Sequence, residues 1–494
     1  MKNTAGILTL TSILSKIFGF GRYITLAGFY GASGISDAYL IALTIPMSIF
    51  QFIGQGISTT FIPVFSKILS DHSEEKAQRY INNLINILII ICTALISMAV
   101  ILSPLLVRLF ASGFTGDTFS LAVSLTRITL AGIYFSVLMR VLTGYLHVKK
   151  SYIIPGLTGI PFNIIVIISI IMSRDNVYIL ATGTLLAMFA EFIMIVYASY
   201  KAGYRYIPVF DLKDPDFNRT VRLALPTIIS TSLKDINWLV DRTLASRIAT
   251  GAVSALSYAT RLTYFLQQTW VTALITVMYP AISKMSAEKD IKGIKNSLTD
   301  VLNAVHLILI PAALGSLVFA VPIVNLVFGY GAFDSQAVDM TSYALIFYSL
   351  GMISLGQADV LSRIFFSLQD TKTPMIYGAL GMTANIILNL ILVRFLGIGG
   401  LALASSISAV LTASLLFISL RRKIGRFDLK KLAISFIKML FSAVLMAFFS
   451  DYLFSTLQNT LSPRLSLGIS ILSGACFYFC LVYLLKPWDK IPPR

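Results

Sequence analysis

Residues 15–42 read S-K-I-F-G-F-G-R-Y-I-T-L-A-G-F-Y-G-A-S-G-I-S-D-A-Y-L-I-A. The first half lies in an apolar run that must form a helix in lipid, yet Lys16 and Arg22 fall near the middle of that helix. Asp37 opens the next apolar run. A charge at the bilayer centre costs about 2.5–3.5 kcal/mol on insertion scales, so intramembrane charges tend to face a cavity and serve a substrate, an ion or a proton. Six positions separate the two cations, about 120° around a helix and about 9 Å along it, so both can border one cavity. The plainer reading is that either side chain snorkels to an interface. Two cations at that depth ask for an anion.

The rest of the chain sets the class. Of 494 residues, 56% are hydrophobic and 12% charged, about half the charge of a soluble domain. Uncharged apolar stretches at 81–107, 152–173, 373–393, 395–420 and 465–485 reach or exceed the roughly 20 residues that span a bilayer. Barrel strands alternate over about 10 residues and lack such runs. The expected fold is therefore an all-α polytopic membrane protein. It is segmented into about 14 transmembrane helices, near 6–30, 37–64, 81–107, 121–146, 152–173, 177–200, 219–246, 252–283, 298–328, 338–366, 373–394, 398–420, 432–454 and 464–486. The N-terminus lacks a small-x-small cleavage site and its apolar run outlasts a signal peptide, so it is expected to be retained. Cys92, Cys476 and Cys480 fall within apolar helices and have no metal-ligand spacing.

The net charge of +17 is a topology signal rather than a nucleic-acid footprint. Alternate connections hold Lys67, Lys76 and Arg79; Lys149 and Lys150; Lys201, Arg205 and Lys213; Lys284, Lys289, Lys292 and Lys295; Lys372; and Arg421 through Lys431. The opposite set holds little beyond Arg108, Arg174, Arg394 and Arg464. The positive-inside rule then puts both termini in the cytoplasm.

The chain also repeats itself. Pro63-Val64-Phe65-Ser66-Lys67 is echoed by Pro280-Ala281-Ile282-Ser283-Lys284, and Pro104-Leu105-Leu106-Val107 by Pro322-Ile323-Val324-Asn325. Two parallel six-helix repeats are expected, forming N and C lobes around a central cavity, with two further C-terminal helices. The division is an N-lobe at 1–200, a cytoplasmic linker at 201–218, a C-lobe at 219–425, and the last two helices with a tail at 426–494. Parallel repeats of this kind are a transporter build with the site at the repeat interface. No Gly-rich loop ends in Gly-Lys-Ser/Thr, and no nucleophile–base constellation appears. The expected protein is a transporter and not an enzyme.

Other intramembrane polar residues join the candidates. Asp37 suits a helix N-terminus or a gate partner for Arg22. Arg261, in Tyr258-Ala259-Thr260-Arg261-Leu262, sits in the repeat partner of helix 2, and its fork suits phosphate oxygens. Asp241, Asn385, Asn389 and Ser405 offer the oxygens a hard cation such as sodium would use, or ordinary interhelical hydrogen bonds. Asp359 and Arg363 are spaced to pair along one helix. Glu191 lies deep in helix 6 with no evident partner.

Several segments together resemble the MurJ/MviN family: S-K-I-F-G-F-G-R at 15–22, S-D-A-Y-L-I-A at 36–42, Gln55-Gly56 with Phe61-Ile62-Pro63, Tyr258–Leu262, Gly331-Ala332-Phe333 and Asp370-Thr371-Lys372-Thr373-Pro374. These are bacterial lipid II flippases of the multidrug/oligosaccharidyl-lipid/polysaccharide exporter superfamily. The resemblance implies transfer of lipid II, the undecaprenyl-pyrophosphate-linked peptidoglycan precursor, from the inner to the outer leaflet of the cytoplasmic membrane by alternating access, for cell-wall synthesis. It implies that Lys16, Arg22 and Arg261 hold the pyrophosphate, that Asp37 and Gln55 act at the gate, and that the last two helices border a lipid-tail groove. It further implies a monomer near cell-wall synthesis enzymes, with no cofactor beyond a sodium coupling ion. Lys16 stands where an arginine is usual, Gln51 replaces another arginine, Gln55 replaces a glutamate, and Asn389 replaces an aspartate of the sodium site. The alternatives are export of another polyprenyl-pyrophosphate oligosaccharide, a multidrug cation antiporter (disfavoured, since an organic cation wants carboxylates) and a non-transporting cell-wall scaffold.

Overall fold

The computed structural model describes residues 2–426 and 428–486, with side chains described except at 2–5, 7–9, 51–53, 55–59, 225–236 and 266. Among the described residues every regular element is a helix. In chain order these are α1 (Lys2–Tyr30), α2 (Gly34–Asp71), α3 (Glu74–Ile101), α4 (Ser103–Phe110), α5 (Gly116–Leu130), α6 (Gly132–Val148), α7 (Ile153–Leu157), α8 (Gly159–Met172) and α9 (Tyr178–Lys201). They continue with α10 (Pro215–Ser246), α11 (Ala252–Ala287), α12 (Ile291–Val318), α13 (Ala320–Phe328), α14 (Ser335–Ser367), α15 (Lys372–Ile424), α16 (Leu429–Leu457) and α17 (Pro463–Leu485). Nine helical stretches among the described residues are long and apolar enough to cross a membrane. This is a multi-pass membrane protein.

The repeat is visible in the elements. α2 and α11, α3 and α12, α4 and α13, and α5–α6 and α14 start and end at offsets between 216 and 219 residues. Even the caps correspond: the Ser73 hydroxyl accepts from Lys76 N at the start of α3, and the Asp290 carboxylate accepts from Gly293 N at the start of α12. Such caps satisfy an otherwise unpaired first-turn amide. By packing, the chain forms two compact units, residues 1–254 with 331–333 and residues 255–330 with 334–494.

The helices expected at 121–146 and 152–173 are each interrupted, after Leu130 and after Leu157, and proline explains several of the other departures from the apolar runs. The single helices expected at 81–107 and 298–328 are each broken, after Ile101 and after Val318. Pro104 and Pro322 follow the two breaks, and the first turn of a helix is where a proline fits without kinking or breaking it. Conversely, Pro63 and Pro280 lie inside α2 and α11. Those helices run past the expected ends at 64 and 283 because proline disturbs the turn before it and leaves later residues free to stay helical. The two helices expected at 373–394 and 398–420 join through one non-helical residue, Gly397, at φ 53° and ψ −127°. A side chain there would force L-chirality into a conformation it rarely adopts.

In the first unit, an aromatic cluster closes one end of the core. Phe61 stacks on Phe65 at 5.2 Å and on Tyr80 at 6.0 Å, and Phe65 meets Tyr145 edge-on at 5.6 Å. Beside it the chain between α9 and α10 runs without helix, held by amide side chains on one face of α3. Gln78 donates to Gly203 O, Asn82 to Arg205 O, Asn86 to Val209 O, and Asn83 exchanges two bonds with Asp211. Residues 203–211 are thus strapped along α3. In the second unit, Val301, Leu302, Val305 and Leu309 of α12 pack with Leu361, Ile364 and Phe365 of α14 and Leu416 and Leu420 of α15. The last two helices attach through Met439, Ala443, Tyr478 and Val482 around Ile310.

Asp370, between α14 and α15, ties the two ends of α15 together. Its carboxylate accepts from Lys423 Nζ at 2.5 Å, Thr373 N at 3.0 Å and Thr373 Oγ1 at 2.8 Å. The lysine first, and then the threonine amide, hold its carboxyl at about 2, below the usual 3.8. A depressed carboxyl stabilises the fold fully above the unfolded value and loses that contribution as pH falls through the folded one. Asp370→Asn is therefore expected to cost about 1 kcal/mol at neutral pH. The difference from the parent should shrink between about pH 4 and about pH 2. Thermal unfolding of the two proteins across that range checks it.

Candidate functional site

The first unit builds its cationic site where α1 crosses α8. A Cβ on Gly159 would stand 2.3 Å from Ser15 Oγ, so the helices meet there almost backbone to backbone. Asn163 of α8 donates to Gly159 O at 2.7 Å and to Ser15 O at 3.4 Å, which fixes the crossing. Lys16 follows Ser15 directly and is partly exposed. Arg22, further along α1 and also partly exposed, lays its guanidinium over the Tyr23 ring at 5.2 Å and the Phe162 ring at 5.4 Å. Stacking on ring faces steadies the cation by about 0.5–2 kcal/mol while leaving its in-plane donors open. Among the described residues neither Lys16 nor Arg22 makes a hydrogen bond or an ion pair. A guanidinium carries five N–H donors in a planar fork, and here the fork is available to an anion.

Asp37 has a different set of partners from Arg22. It is fully buried near the start of α2. One carboxylate oxygen accepts from Gly251 N at 2.8 Å and the other from Ser254 N at 2.7 Å. A carboxylate on the first amides of a helix satisfies donors that have no partner within it and complements the positive end of the dipole. Asp37 thus caps the N-terminus of α11, far along the chain, while Ser33 caps its own helix. The cation within electrostatic reach is Arg242 of α10, whose guanidinium donates to Val253 O at 3.3 Å and lies over Trp238 at 5.4 Å. Arg242 is buried here. Gly251 makes the approach possible. It sits at φ +87°, and a Cβ would stand 2.1 Å from Ala32 O. The Gly331-Ala332-Phe333 segment joins the same end of this unit, Ala332 N donating to Gly28 O at 2.8 Å.

The remaining candidates divide between the units. Arg261 lies exposed on α11 in the second unit. The side chain of Gln55, like that of Gln51, lies outside the described residues. On α15 three of the proposed oxygen ligands come together: Asn389 donates to Asn385 Oδ1 at 2.8 Å, and Asn385 donates to Ser405 Oγ at 3.2 Å. Asp241 lies half-buried on α10 in the first unit. The expected Asp359–Arg363 pair does not form. Asp359 accepts from Gln267 at 3.1 Å and Arg363 lies over Phe366 at 5.9 Å, a buried amide on α11 competing with a longer, wetter partner on the same helix.

The chain is similar to several known proteins. The model of the family described as "Lipid II flippase MurJ" matches residues 26–472. A Vibrio cholerae protein named as a probable lipid II flippase MurJ is 29% identical over 478 residues, covering 94% of this chain and 90% of its own. A solved structure of lipid II flippase MurJ in an inward closed conformation superposes with a TM-score of 0.84 at 26% identity, covering 97% of this chain and 98% of its own. An inward-facing multidrug resistance transporter of the MATE family in the MOP superfamily shares the fold, with a TM-score of 0.70 at 16% identity over 83% of this chain and 94% of its own.

The Asp37 cap carries its own prediction. Asp37→Asn keeps one acceptor but turns an amide donor toward the Gly251 or Ser254 N–H. It should lower stability by about 1–3 kcal/mol, while Asp37→Ala, which leaves both amides bare, should cost at least as much. Thermal unfolding in detergent reads both.

Proposed function

Because the chain belongs to the lipid II flippase MurJ family, we propose that it moves lipid II from the inner to the outer leaflet of a bacterial cytoplasmic membrane by alternating access. The observation that carries this reading is Arg22, a guanidinium in a helix that the sequence assigns to the membrane, with its donors uncommitted among the described residues. An arginine held in that state is costly unless an anion visits it, and a diphosphate offers the oxygens that match its fork. Arg22 is the principal pyrophosphate ligand, with Lys16 supplying a second charge and Arg261 a third. Lysine at position 16 contributes a point charge rather than a fork, so the grip is set by charge there and by geometry at Arg22.

In this reading Asp37 acts at the gate through the α11 amides and Arg242, and opening requires the carboxylate to leave Gly251 and Ser254. The amide and hydroxyl oxygens of Asn385, Asn389 and Ser405 are the proposed sodium-binding element. Without a carboxylate at position 389 that element is neutral and weak. Transport draws on ion gradients or membrane potential rather than nucleotide hydrolysis, the protein works as a monomer near the enzymes of cell-wall synthesis, and both termini face the cytoplasm.

The experiment is replacement of the resident flippases by this protein in a depleted cell, with lipid II exposed at the outer leaflet as the readout. The parent should restore exposure, and Arg22→Ala with Arg261→Ala should abolish it, at matched membrane abundance. Normal exposure in the double variant would overturn the proposed mechanism. A parent that restores growth on another polyprenyl-pyrophosphate glycan but not lipid II exposure would reassign the cargo while keeping the cations.

A further inference from the structure

Arg140 lies on α6, inside the membrane-length stretch Gly116–Val148, and a guanidinium there needs a reason. It stands over the Phe50 ring of α2 at 5.6 Å. That ring lies along α2 across Gly54, where a Cβ would come within 2.6 Å of Phe50 Cζ, so the absent side chain makes room for the shelf. Arg140 is exposed, and among the described residues it makes no hydrogen bond or ion pair. The state of Arg22 over Phe162 is thus repeated on another wall. On α6, Gly144 meets Phe61 of α2 and Gly132 meets Met188 of α9, a Cβ falling 2.6 Å and 2.3 Å from those side chains. Around the helix, Arg140 lies about 40° from Gly144 and about 80° from Gly132, between the two contacts. Tyr134, which donates to Thr93 of α3, lies about 120° away on the other flank. Arg140 therefore projects between α2 and α9. α9 packs in turn on α8 through Gly183 and Ser169, and α8 on α1 through Gly159 and Ser15, so α2, α6, α9, α8 and α1 form one arc. Phe162 points away from the exposed Ile164, Ile168 and Ile171 of α8, toward the inside of that arc.

We infer that Arg140 is a second anion-binding residue of the first unit, an entry station for a lipid-linked diphosphate on its way to Arg22. The two arginines are staggered along the helices. Arg22 precedes Tyr30, the end of α1, by about 12 Å, whereas Phe50 follows Gly34, the start of α2, by about 24 Å, at 1.5 Å per residue. Lys16, about 21 Å before Tyr30, is level with Arg140. With both termini cytoplasmic, as proposed, that level is on the inner-leaflet side. A diphosphate reaching it meets a fork at Arg140 and a point charge at Lys16. A stagger of about 12 Å is too long for one diphosphate to bridge, so the anion sits at one arginine or the other. This rests on the reading of the cargo as a lipid-linked diphosphate with Arg22 as its principal ligand.

The test is binding of undecaprenyl pyrophosphate to the full-length protein in phosphatidylcholine nanodiscs, with undecaprenol as the uncharged control, beside lipid II transfer in proteoliposomes. Arg140→Gln should leave the parent's affinity nearly unchanged, because the tighter Arg22 station holds the ligand at equilibrium. It should lower kcat/KM about tenfold with kcat little altered, the size of one lost charge-assisted contact on the way in. Arg22→Ala should keep a weak preference for the pyrophosphate over the alcohol, and adding Arg140→Gln should erase it. Arg140→Lys, which keeps the charge without the fork, should fall between. A residual preference that survives Arg140→Gln overturns the inference, and so does an unchanged kcat/KM, the result for a side chain that snorkels to the interface. A merely structural Arg140 would lower stability and kcat together, which also overturns it. So does a difference between parent and variant that appears only when phosphatidylglycerol is added, since Arg140 would then hold a headgroup. Equal binding of pyrophosphate and alcohol by the parent would instead refute the underlying reading of the cargo. Should Arg140→Gln be recovered misfolded, Arg140→Lys is read in its place, with a smaller loss of kcat/KM expected.

Discussion

An uncompensated charge inside a lipid-embedded protein is the constraint on which the rest of this molecule depends. Arg22 is kept in place by ring faces, Tyr23 and Phe162, which steady a cation without consuming its donors. Asp37 shows the opposite treatment. Both its oxygens are consumed by backbone amides at short distance, and it is wholly buried. One charge is held ready and the other is spent on holding the fold. The difference follows from what each side chain was given to touch, since aromatic faces attract a cation whatever its fork does, whereas amides saturate a carboxylate.

The helical framework that makes this possible is built twice. Elements recur at offsets of 216–219 residues, with helix caps and prolines at matching places. The copies nevertheless diverge where chemistry is concerned. The first unit carries Lys16, Arg22 and Glu191, while Arg261 and the Asn385–Asn389–Ser405 chain belong to the second. Duplication supplied the scaffold, and substitution made the sites unlike each other.

Much of this was legible before any coordinates. Apolar runs identified the membrane class, the Pro63/Pro280 and Pro104/Pro322 echoes disclosed the repeat, and the depth of Lys16 and Arg22 singled them out as candidates. What stayed hidden depended on partners distant in the chain. Nothing local to Asp37 says that it caps a helix beginning some two hundred residues later, because a cap acceptor and a gate carboxylate look alike in one dimension. The Gln78, Asn82, Asn83 and Asn86 strap had a signal, amides at helical spacing on an apolar helix, but its function requires the linker to lie alongside. The prolines were read as repeat markers when they also marked helix breaks.

The most direct measurement of the central claim is calorimetric binding of undecaprenyl pyrophosphate to the purified protein and its Arg22→Ala variant, with undecaprenol as the uncharged control. If Arg22 holds the diphosphate, the parent binds the pyrophosphate and not the alcohol, affinity falls as salt screens the contact, and Arg22→Ala loses at least tenfold, about 1.4 kcal/mol. Equal affinity of parent and variant, or equal binding of the charged and uncharged lipids, would contradict it.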